Sequence, residues 1–131
     1  MNLAELVDRT SVDTLDHLER QTTIPVVDGL QAQGDLIVIP LSMTGLPVGE
    51  TANREVPPEG VHLIAGANGR NPHVLVADPH TCRWAPGEFY LALVENTGPV
   101  YLLHPEHGGT GIAPGRWIVR RQFDATGPVA D

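Results

Sequence analysis

The sequence predicts a mainly β fold, either a small barrel or a jelly-roll type of sandwich, with an N-terminal helical arm. Three observations carry that expectation. About six short runs with a two-residue hydrophobic period follow one another along the chain, with turn residues between them. Glycine and proline together make 26 of the 131 residues (14 and 12), a composition that suits tight turns rather than long helices. Hydrophobic residues reach 41% with only 5% aromatics, enough apolar material for one core in a chain of this length. The organisation expected is a helical arm over residues 1–22, a single β domain over 23–124 and a tail over 125–131.

The elements follow from local chemistry. Asn2 is placed to cap a helix with Glu5 three residues on, and Leu3, Leu6 and Val7 form a short apolar stripe. Ser11 or Asp13 restarts a second helical set carrying Val12, Leu15 and Leu18, and the narrow stripe implies an arm packed on its own domain or on a neighbouring subunit. Residues 35–41 (DLIVIPL) are nearly continuous in apolar, β-branched side chains, as in a strand covered on both faces. Residues 61–66 and 73–77 read as strands joined by 67–72, whose Asn68-Gly69 pair signals a hairpin. Residues 88–95 alternate, Asn-Thr-Gly-Pro at 96–99 turns the chain into a strand over 100–104, and Pro114-Gly115 precedes a last strand over 116–123. Two Pro/Gly-rich stretches, 42–60 and 78–87, read as loops.

The charge balance excludes several chemistries. All eight basic residues are arginines, and the formal net charge is −8. Without lysine there is no Schiff-base enzyme, no phosphate-loop lysine and no Ser-Lys nucleophile. An acidic chain is a poor partner for phosphate backbones, so neither nucleic acid nor membrane is an expected partner. Residues 1–20 lack the basic start and apolar centre of a signal peptide, and no run of 18 apolar residues occurs, which predicts cytoplasmic residence. Cys82 is the single cysteine and reads as an inert small residue.

Histidine is the type that points to a site. Six occur, at positions 17, 62, 73, 80, 104 and 107. In His104-Pro105-Glu106-His107 the proline and the following glycines let the backbone curl, so that both imidazoles can aim at one point with Glu106 as carboxylate. Which other histidines join them depends on topology. A simple meander gathers His62, His80 and Cys82 with His104 and His107 and leaves His73 at the far rim. A crossover through 78–87 instead brings His73 to the His104/His107 end. His62 and His73 also share strand faces with apolar residues, the usual setting of structural histidines. Arg121 alternates with Trp117 and Val119, which points it inward toward a carboxylate such as Glu95 or Glu106.

The run from Gly34 to Pro40, the segment from Gly66 to His73, His104-x-Glu106-His107, and Pro114-Gly115-Arg116-Trp117-Ile118-Val119-Arg120-Arg121-Gln122 together resemble a family of small uncharacterised bacterial and prophage-encoded proteins. The likeness spans roughly residues 31–124, and it implies that His73, His104 and His107 form one constellation. Asn71 stands where that pattern has a first turn histidine, Trp117 replaces a tyrosine, and Phe123-Asp124 replaces Arg-Glu.

Two functional expectations result. In the first, a cupin-like rim binds a divalent metal ion or small ligand through His104 and His107, completed by His73 or His62, with Glu106 as ligand or general base. In the second, the domain has no chemistry and is a structural or accessory module, a homo-oligomer or a component docked on a larger, phage-derived complex.

Overall fold

Apolar residues at alternate positions of short strands require a second layer to cover them, and the computed structural model supplies it with two facing sheets. It describes residues 1–46, 51–64, 72–124 and 127–128. The elements are α1 (Leu3–Thr10), β1 (Val26–Val27), β2 (Gln31–Gln33), β3 (Leu36–Pro40), β4 (Arg54–Glu55), β5 (Val61–Ile64), β6 (His73–Ala77), β7 (Cys82–Ala85), β8 (Ala92–Asn96), β9 (Val100–His104), β10 (Gly108–Ile112), β11 (Gly115–Arg121), β12 (Phe123–Asp124) and β13 (Gly127–Pro128). One sheet has the order β1-β10-β9-β6-β5 and the other β2-β3-β11-β8-β7-β4; β12 and β13 pair with each other. All ladders are antiparallel except β1 with β10. The chain steps from the edge of one sheet to the edge of the other between β1 and β2, and steps back between β4 and β5. Among the described residues the strands close into no barrel.

Strand alternation sorts the side chains into layers. Leu75, Ala77, Val100 and Leu102 from one sheet meet Leu36, Val38, Val94, Trp117 and Val119 from the other in the central core. The opposite face of β6 and β9 presents Val74, Val76, Tyr101 and Leu103, and the N-terminal segment covers them with Leu3, Leu6, Val12 and Ile24. The arm thus packs on its own domain.

The helix begins as its sequence requires, with the Asn2 side chain accepting from the Glu5 N–H at 2.9 Å. It is shorter than expected. Ser11 takes the left-handed conformation (φ 58°) and ends it, and residues 11–22 return without further helix. The Ile24 N–H reaches the Met1 carbonyl at 2.9 Å and the Ala4 N–H reaches that of Arg20 at 3.2 Å. Val12 enters the outer core from this non-helical path, so tertiary burial overrides the weak helical stripe of residues 12–18.

Other elements also differ from expectation. The stretch 78–87 contains β7, four residues between Pro79 and Pro86 that are too few to display a period. The strand expected from residue 88 begins only at Ala92. The loop 42–60 contains β4, and a 3₁₀ turn, Leu41–Met43, precedes it. Gly127 and Pro128, in the expected tail, pair with Asp124 and Phe123 at the end of the expected β domain. Residues 68 and 69, the expected hairpin turn, lie outside the described residues, but β5 and β6 pair antiparallel as a hairpin would.

Candidate functional site

The crossover topology decides which histidines meet. Strand β6 pairs with β9 in the register Val74↔Leu103 and Leu75↔Leu102, which sets His73 and His104 side by side at the same end of the sandwich. Both follow the alternation of the inward residues (73, 75, 77 and 100, 102, 104), and both are 0% exposed. Their ring centroids are 4.4 Å apart, and the exposed His107 lies over His104 at 4.5 Å. Three imidazoles therefore form a row running from the surface into the protein.

The facing sheet supplies the partners of His73. Its β2–β3 hairpin turns on Gly34 (φ 56°) and Asp35, with glycine at the first turn position, where a positive φ suits a two-residue hairpin. Gln33 and Asp35 flank that glycine, and both are buried. Nδ1 of His73 is 3.0 Å from Gln33 Oε1, and Nε2 is 2.8 Å from Asp35 Oδ1. Gln122 holds the turn in place, its Nε2 donating to the carbonyls of Gly34 at 3.0 Å and Leu36 at 3.3 Å.

The hydrogen-bond pattern constrains where the protons lie. Gln33 Nε2 faces the carbonyls of Leu102 at 2.8 Å and Gly108 at 3.2 Å, so it must donate, and Oε1 must accept from His73 Nδ1–H. With Nδ1 protonated, a close approach of Nε2 to a carboxylate oxygen needs one further proton between them. The pair is therefore an imidazolium against a carboxylate, or a neutral imidazole accepting from a carboxylic acid. His104 differs. Its Nδ1 accepts from the backbone N–H groups of Glu106 at 3.0 Å and His107 at 3.2 Å, which leaves Nδ1 unprotonated and the ring in the Nε2–H form. The His104 side chain thus caps the turn between β9 and β10 much as an aspartate or asparagine caps an Asx turn.

The remaining residues named from the sequence fall elsewhere. His62 pairs with Val74 across β5 and β6, on the outward face, and is exposed. Glu106 is exposed, and its carboxylate makes no hydrogen bond or ion pair among the described residues. His80 (φ 64°) lies beyond the far end of β6, with Nδ1 3.8 Å from Glu55. Cys82 is buried in the central core, where burial pushes its thiol up to about 12. The meander that would have gathered His62, His80 and Cys82 with His104 is not the one adopted. Arg121 is exposed instead of inward, and Glu95 pairs with Arg116 at 3.2 Å. No group of three or more His, Cys, Asp or Glu among the described residues is arranged to hold a metal ion.

Sequence reasoning did not single out Gln33 and Asp35. Their signals were two polar residues around a glycine at the head of an apolar strand and, for Asp35, a place in the run that carries the family resemblance, and neither says anything about a histidine some 38 to 40 positions away. No curated protein and no solved structure matches the chain. A family model does match, over residues 32–122, a span from β2 to the glutamine that holds the Gly34 turn, and the chain belongs to that family, described as a domain of unknown function (DUF8820).

Proposed function

We propose that this chain is a non-catalytic accessory module, a β domain that associates with copies of itself, and that its histidine row holds the fold together instead of forming a reaction centre. The observation that carries this reading is the engagement of the ring nitrogens. A metal ligand or general base needs a lone pair directed at an open position. His73 has both nitrogens engaged by Gln33 and Asp35, and His104 has Nδ1 engaged by its own turn. Self-association is supported at the edge of the first sheet, where Val26, Val27 and Leu30 are 42%, 41% and 53% exposed. An apolar edge strand is a template for pairing with a second chain. Sedimentation over a wide concentration range should give masses above the monomer, reduced in Val27→Glu. A monomer at every concentration overturns the reading.

A second reading has a divalent ion held by His104 and His107 with Glu106 as carboxylate. It is favoured by the 4.5 Å approach of the two rings and by the exposure of His107. Elemental analysis of protein prepared without chelators should then find metal in stoichiometric amount, lost in His107→Ala. Metal-free protein whose unfolding temperature ignores zinc, nickel and manganese excludes it.

A further inference from the structure

Of the seven arginines among the described residues, five are engaged by the protein itself. Arg9 donates to Asp78 at 2.9 Å, Arg20 donates to the Thr14 carbonyl at 3.2 Å, Arg83 lies 3.7 Å from Glu55, and Arg116 lies 3.2 Å from Glu95. Arg54 stacks over the Trp84 ring at 5.4 Å. Arg120 and Arg121 have no such partner among the described residues, although the whole chain carries a net charge of −8. Two adjacent guanidinium groups with no ion-paired carboxylate among the described residues make a local positive field in so acidic a protein.

Both arginines line one cleft of about 680 Å³, together with Phe89, Tyr90, Ile37 and Glu88. Neighbouring residues on a strand point to opposite faces, so they can share a cleft only where the strand runs out of its sheet. Arg121↔Leu36 is the last pair of the β11–β3 ladder. The walls are tied to the framework: Gln122 is bonded to the Gly34 turn, and the Leu91 N–H donates to the Val119 carbonyl at 2.9 Å. Phe89 is 72% exposed, the most exposed of the chain's large apolar side chains among those described.

We infer that this cleft binds a small aromatic carboxylate, independently of the histidine row. The guanidinium groups would take the two carboxylate oxygens in the planar, forked geometry that suits them, and the ring would cover Phe89 and Tyr90. Glu88 brings the charge of the cleft to one positive unit, which matches a monoanion and disfavours a polyanion such as a nucleic acid.

The test is an NMR titration of the full chain with benzoate, alongside acetate and inorganic phosphate. Benzoate should shift the backbone amides of residues 88–91 and 120–122 saturably, and the double variant Arg120→Gln/Arg121→Gln should weaken it by about tenfold or more, the scale of losing charge-assisted hydrogen bonds. Phe89→Ala should weaken benzoate and leave acetate unchanged. All three residues are at the surface, and an unaltered thermal unfolding curve checks that the variants fold. Absence of a saturable shift, an unaffected double variant, or phosphate bound as tightly as benzoate overturns the proposal.

Discussion

Nε2 of His73 lies 2.8 Å from Oδ1 of Asp35, joining a strand of one sheet to the hairpin turn of the other where almost no water reaches. Removing one member of such a pair strands the other in a buried site, which typically costs about 3–5 kcal/mol. Asp35→Ala and His73→Ala should each lower unfolding free energy by roughly that amount, and the double variant should lose much less than their sum. Denaturant unfolding of the four proteins measures this, and strict additivity would deny the coupling.

The two backbone N–H groups that His104 receives would lose their partner in His104→Ala, at a cost of about 1–3 kcal/mol. Asparagine carries an acceptor that can serve an Asx turn, so His104→Asn should recover part of the loss. Equal stability of the alanine and asparagine variants would show that the cap does not matter.

Cys82 supplies a pH dependence with a definite sign. Its thiol ionises at about 12 in the folded chain against 9.0 for an ordinary thiol. Between those values the unfolded chain releases a proton that the folded chain retains, so stability falls as pH rises from 9.0 toward about 12, and no such loss occurs below pH 9.0. Cys82→Ala should have a flatter stability curve across that window. A thiol reagent near pH 8 should label the native protein only as fast as it opens.

Gly109 lies directly beneath the N-terminal segment. A Cβ there would lie 2.5 Å from Ile24 Cδ1 and 2.9 Å from Leu6 Cδ1. Gly109→Ala should destabilise the protein by about 1 kcal/mol, the low end of overpacking, because the atoms that must give way are the ends of the Leu6 and Ile24 side chains. Gly29, with nothing within 4 Å of its added Cβ, is the control, and Gly29→Ala should leave the melting temperature nearly unchanged.

The parts of this fold that were legible in the sequence are those in which local pattern and burial agree. Leu36–Pro40 and Val100–His104 carry nearly continuous apolar runs, Gly115–Arg121 alternates after the Pro114-Gly115 turn, and each is a strand. Cys82–Ala85 escaped because four residues between prolines show no period. Its existence determined which of two histidine groupings forms, because the chain passes to the other sheet there instead of pairing beside β6. His73, His104 and His107 were legible as a group only through one of two topologies and the family resemblance. Gln33 and Asp35, which hold the two ring nitrogens of His73, were not legible as its partners, because nothing local in a chain reports a contact made across a sandwich.

Strand β6 is buried at all five positions, alternating between the central core and the layer beneath the helix. The arm therefore belongs to the same cooperative unit as the sandwich. A chain shortened to start at residue 23 would bare Val74, Val76, Tyr101 and Leu103 as a sticky wall. Any clumping of that fragment would report a surface the intact protein keeps covered, so single substitutions along Val26 to Leu30 are the cleaner probe of how copies of this domain meet.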